Sequence, residues 1–187
     1  MKQRLERKVD FLESLTDLFY PTLNLLGAFE LRQESELPVA YRGLLAHHSH
    51  MTVTVERRHG CAVDVQVIRT LRDDQHYSRE ILLRRQSDRR VVQYGIVRLA
   101  TGALATDVLS EIFSEGIPLG RVLIQHGVLT QVQLLALWQI KPTETLADLM
   151  EMPSGMTTCG RTALIYCDGE PAIELLEIVA AEETFPE

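Results

Sequence analysis

Tyr77-Ser78-Arg79-Glu80-Ile81-Leu82-Leu83 reads as a β-strand whose residues alternate between two faces. Tyr77, Ile81 and Leu83 make an apolar face, and Arg79 falls among them. Ser78 and Glu80 point the other way. A guanidinium on the greasy side of a strand is costly unless an anion or several acceptors meet it. A core ion pair, or a head that snorkels to water, is the structural explanation. A buried anion site is the functional one. The rest of the chain is read for groups that belong with Arg79.

Working outward, alternation continues on both sides. Upstream, Met51, Val53 and Val55 alternate with Thr52, Thr54 and Glu56, and Val63, Val65 and Val67 alternate with Asp64, Gln66 and Ile68. Gly60 and Asp73-Asp74 punctuate these runs. Downstream, a turn at Gln86 to Asp88 leads into Val91 to Leu99. Four successive strands with short connections predict an antiparallel meander. The paired arginines 84-85 and 89-90 flank the turn and read as a solvated hairpin tip.

The outer segments are helical or mixed. Lys2 to Phe19 carries Leu5, Val9, Leu12, Leu15 and Phe19 on one stripe, which predicts a helix ended by Pro21. Residues 24–38 are less regular and suit a short helix, and Tyr41 to His48 suits a helical turn. Leu104 to Ser114 is a second helix, and Pro118 opens a third. Leu129 to Ile140 is apolar and fits strand or helix equally. Residues 142–155 read as loop. Thr162 to Cys167 and Ala172 to Ala180 flank Asp168-Gly169, a hairpin signal. The expected fold is α+β, an antiparallel β-sheet of about six strands with helices packed on it. The expected division is a helical segment 1–44, a main domain 45–180 and an acidic tail 181–187.

Composition narrows the function. The chain has 187 residues, 45% hydrophobic and 24% charged, in the range of an ordinary globular domain. A net charge of −7 argues against a general nucleic-acid surface. No run is apolar enough for a membrane span, and the charged N-terminus lacks a signal peptide's apolar core, so a cytoplasmic protein is expected. Cys61, Cys159 and Cys167 form no CxxC pair and read as reduced thiols. His47, His48 and His50 have no spaced carboxylate or thiol companions and read as loop or surface histidines, so no metal is expected. No phosphate loop or nucleophile elbow is present.

The last strand brings a second charge to an apolar face. Ile173, Leu175, Glu177 and Val179 share one side, with Glu174 on the other. A buried carboxylate is either paired or suited to move a proton.

Four segments in order are His50-Met51-Thr52, Tyr77 to Leu83, Ile117-Pro118-Leu119-Gly120-Arg121, and Gly169-Glu170-Pro171 followed by Leu176-Glu177-Ile178. Together they resemble the chorismate pyruvate-lyase family, over roughly residues 45–180. The resemblance implies a chorismate lyase-like fold enclosing a buried site. It also implies cleavage of chorismate to 4-hydroxybenzoate and pyruvate without cofactor or metal, with a product fit for quinone synthesis. In it, Arg79 would hold the ring carboxylate, Met51 would contribute its backbone or side chain to the pocket, Leu119 would line the ring and offer backbone groups near a helix start, and Glu177 would meet the hydroxyl end and transfer a proton. Arg161 resembles a basic position that would contact the pyruvyl carboxylate. One extra residue between Pro171 and Glu177 is needed to match the family, and a β-bulge would supply it. The expected partner is chorismate alone, with no nucleic acid and no membrane, in a monomer or weak homodimer. The alternatives are a lyase releasing a different hydroxybenzoate, or a non-catalytic effector-sensing domain that binds a small aromatic acid, since the same fold resembles the effector domains of certain transcription regulators. The sensing reading needs a separate DNA-binding partner, because no basic recognition helix precedes the first predicted strand.

Overall fold

The computed structural model describes residues 2–181. The predicted acidic tail, Glu182 to Glu187, lies outside the described residues. Seven strands form one antiparallel sheet: β1 (Gly27–Arg32), β2 (Val63–Arg72), β3 (His76–Arg85), β4 (Val91–Ala100), β5 (Thr130–Pro142), β6 (Thr158–Cys167) and β7 (Glu170–Val179). Their order is β1-β5-β6-β7-β4-β3-β2. Two meanders, β2-β3-β4 and β5-β6-β7, thus meet along the β4–β7 ladder. The fold is α+β, as the strand and helix patterns predict.

Helices cover both sheet faces. On one lies α1 (Lys2–Thr16), whose Leu12 and Leu15 bury against Tyr94, Ile96, Trp138, Leu176 and Ile178. The short helix α6 (Glu144–Leu149) packs at the same core through Leu146. The other face lies beneath α2 (Val39–Leu45), α3 (Met51–His59), α4 (Thr106–Phe113) and α5 (Leu119–Gln125). Because both faces are covered, β3 is buried from Tyr77 to Leu83 on each side.

Three predicted segments are corrected. Met51 to Glu56 is the start of α3 and not a strand. Its alternation of apolar and polar residues is short enough to suit either period, and the buried set Met51, Thr52 and Val55 is helical. Gly60 ends α3 in the left-handed region, at φ 63°, after three basic residues in its last turn. Residues 24–38 hold a short 3-10 helix at Glu34–Glu36, as read, but also supply the edge strand β1, and α6 occupies part of the predicted loop 142–155. The ambiguous segment 129–140 is strand β5. A bulge between Leu134 and Ala136 reverses its face parity, which explains its mixed period.

Residues 84–90 do form an exposed tip, with Arg85 paired to Asp88 and Arg89 to Asp64. Among the described residues no helix is long and apolar enough to cross a membrane.

Candidate functional site

A row of residues crosses the sheet on the α2–α5 side: Leu137, Arg161, Glu177, Gly95, Ile81 and Val67 are successive cross-strand partners. Gly95 has no side chain, so the row has a hollow between Glu177 and Ile81. Two residues along β3 from Ile81, Arg79 shares the face and pairs with Val97. Two residues along β4 from Gly95, in the other direction, lies Gln93. The starts of α3 and α5 close over the hollow. Their approach is tight: a Cβ on Gly120 would lie 3.1 Å from Cβ of His50 and 3.2 Å from Thr52 Oγ1. The result is a small cavity of about 40 Å³.

Every residue singled out in the sequence lines this cavity: Met51, Arg79, Leu119, Arg161 and Glu177. The register of the last hairpin explains how Glu177 arrives. Ile165 pairs with Ile173 and Tyr166 with Pro171, so Ala172 is an extra residue. This bulge turns Glu177 to the cavity face and sends Leu176 into the core under α1.

Arg79 is 1% exposed, and its Nε and Nη1 have no hydrogen-bond partner among the described residues. Burial pulls its pKa below the usual guanidinium value, and the Tyr77 phenol and the Glu115 carboxylate only partly oppose that. Tyr77 itself donates to Glu115 at 3.0 Å, and its pKa is pushed up to about 12, chiefly by burial.

Arg161 is equally buried but fully engaged. Its Nε donates to Glu177 Oε2 at 2.7 Å, Nη1 to the His47 carbonyl at 3.0 Å and Nη2 to the Ser49 carbonyl at 3.2 Å. It therefore holds Glu177 in place and ties the loop before α3 to the sheet. Arg121, expected on a helix surface or in a structural pair, bonds Glu56 across α5 and α3.

The histidines lie in the loop between α2 and α3, as read, and His48 is exposed, but His47 and His50 are half-buried. His50 lines the cavity, with Nε2 2.9 Å from Thr130 Oγ1. His47 Nδ1 accepts from the Ser49 amide at 3.1 Å, so Nε2 carries the proton and donates to the Leu44 carbonyl at 2.7 Å. Burial lowers both pKa values, and the Arg161 charge lowers them further. In the unfolded chain these rings take up protons near pH 6.5, while in the folded chain they resist to lower pH. Stability is thus present above that value and is lost as pH falls below it. The melting temperature is expected to drop by a few degrees between pH 7.5 and 5.5. A His50→Gln variant, scanned over the same range, should lose less.

Sequence reasoning missed Gln93 and Gly95. Both sit in an unbroken apolar-looking run, 91–99, where both faces are covered and no alternation marks the cavity side. It also passed over Glu80, fully buried on the opposite face and bonded by Tyr20, Tyr94 and Arg69. Among the described residues no cluster of three or more His, Cys, Asp or Glu side chains is arranged to hold a metal.

No protein-family model matches the chain, and no curated protein is found as a relative. Solved structures do share its fold. The effector domain of PhnF from Mycobacterium smegmatis superposes with TM-score 0.54 at 13% identity, over 72% of this chain and 90% of that one. The crystal structure of PhnF itself gives TM-score 0.53 at 13% identity, over 71% of this chain and 64% of that one. The C-terminal domain of a histidine utilization repressor from Pseudomonas syringae pv. tomato overlays more loosely, with TM-score 0.44 at 12% identity, over 67% of this chain and 99% of that one. The chain has the chorismate lyase-like fold in the form seen in an effector domain. The solved structures that share the fold are domains of transcription regulators and not lyases, and that finding overturns the expectations of a chorismate lyase, of proton transfer by Glu177, of chorismate as substrate, of a role in quinone synthesis and of partners that exclude nucleic acid.

Proposed function

We propose that this chain is a non-catalytic sensing domain whose cavity binds a small aromatic acid. The observation that supports it is Arg79, a buried guanidinium with two unpartnered donors on the cavity wall. An isolated buried charge is costly, and a carboxylate offers the planar pair of acceptors that a guanidinium fork matches. Met51, at the first turn of α3, would add its backbone amide and the positive end of the helix. Leu119, Ile81 and Val97 would cover the ring, and Glu177, steadied by Arg161, would accept a hydrogen bond from its far end. In this reading the signal passes to a DNA-binding partner, as befits an effector domain, and residues 45–180 carry the ligand site.

Calorimetric titration with 4-hydroxybenzoate and benzoate tests it. Saturable binding with a raised melting temperature is expected. Absence of binding by every benzoate tried, in folded protein, would remove the proposal.

A further inference from the structure

Besides Arg79, one other residue keeps a buried side-chain atom unpartnered among the described residues. It is Gln93, 3% exposed, whose Oε1 accepts nothing. It lines the same cavity. Val97 faces Arg79 in the ladder, and Gln93 lies four residues before it on β4. Four residues of antiparallel strand span about 14 Å, so Arg79 and Gln93 stand at opposite ends of the cavity floor. Glu177 pairs with Gly95, two residues from Gln93, which makes Glu177 and Gln93 diagonal neighbours on one face. No side chain separates them at Gly95.

The end of the cavity away from Arg79 therefore brings the Glu177 carboxylate and the Gln93 side-chain amide side by side. Glu177 has one carboxylate oxygen held by Arg161, leaving the other for the cavity. Gln93 adds its amide oxygen. A single hydroxyl donates one proton and can satisfy one of them. The second acceptor would then stay buried and unpaired, which is unfavourable.

Resting on the sensing reading above, we infer that the ligand carries two adjacent hydrogen-bond donors at the end opposite its carboxylate, and that Gln93 sets this preference. The class is a vicinal dihydroxy acid, not a monohydroxy one. Arg79 selects for the acid; Gln93 selects among acids.

The test is calorimetric titration of wild type and Gln93→Met with benzoate, 4-hydroxybenzoate and 3,4-dihydroxybenzoate. Methionine keeps the length of glutamine and removes the acceptor. Wild type should bind the dihydroxy acid at least about tenfold more tightly than the monohydroxy acid. Gln93→Met should lose that preference while holding 4-hydroxybenzoate within about threefold of wild type. Equal affinities of wild type for the two acids would overturn the inference, since the amide nitrogen and not the oxygen would then face inward. An undiminished preference in Gln93→Met would overturn it as well. Either result leaves the sensing proposal standing. Failure of all three acids to bind wild type would bring down both. The wild-type comparison decides the matter even if the variant fails to fold.

Discussion

Replacing Arg79 with methionine is expected to abolish binding of a benzoate-type acid and to raise the melting temperature of the ligand-free protein. The two effects share one cause. Arg79 is buried, its Nε and Nη1 are unpartnered among the described residues, and burial already weakens its hold on the proton. A charge kept in such a place works against folding. Exchanging buried charged groups for apolar ones of similar volume is often stabilising, by about 1–4 kcal/mol. For a chain of this size each kcal/mol shifts melting by roughly 2–4 °C. Losing the partner of a buried carboxylate costs about 2–5 kcal/mol in binding, or at least about a thirtyfold weakening. Calorimetric titration and a melting scan on one preparation read both effects. A variant that melts lower and still binds would show that Arg79 serves the fold.

On the opposite face, Glu80→Ala is expected to be the most destabilising single change in the sheet. Glu80 is fully buried; Tyr20 and Tyr94 both donate to its Oε1, and Arg69 donates to Oε2 at 2.7 Å. Arg69 is half exposed and would turn to water at little cost. The two phenols would not. Tyr94 is fully buried, and burial together with the carboxylate pushes the Tyr20 pKa up to about 12. Taking the shared carboxylate acceptor from both hydroxyls, beside a new void, costs about 3–5 kcal/mol, or on the order of 10 °C in melting temperature. Urea unfolding of Glu80→Ala beside Glu80→Gln measures it. The amide keeps an acceptor and should recover part of the loss. Unchanged stability in Glu80→Ala would mean that the tyrosines find other partners.

How much could be read in advance depended on whether local period and final face agree. They agree in the first half of β2, in β3 and at the Asp168-Gly169 hairpin, and β4 followed from its short turn, so the antiparallel α+β plan was legible. Met51, Arg79, Leu119, Arg161 and Glu177 converge on one cavity, Glu177 only because the bulge at Ala172 restores its register and Met51 from the start of a helix instead of a strand. Parity breaks hid the rest. The bulge after Leu134 scrambles β5, and six residues of β1 hold too few alternations to outweigh their irregular setting. The start of α3 mimics a strand because its apolar residues fall on odd positions for only five residues. Gln93 could not be seen at all, since what makes it unusual is a missing partner on neighbouring strands. Function was misread where a set of short motifs lining one cavity was taken to imply chemistry. The same residues can hold a molecule without changing it.

Arg79 belongs to the first meander, Arg161 and Glu177 to the second, and only the β4–β7 ladder brings them together. A ribosome finishes β4 about 70 residues before it begins β7. At about 5–20 residues per second, that is a wait of roughly 4–14 s. Through that interval the growing chain carries Arg79 and the unpaired edge of β4 with nothing to complete them. The β4 edge therefore stays open until β7 arrives, and the two halves of the cavity meet only when the last strand is in place.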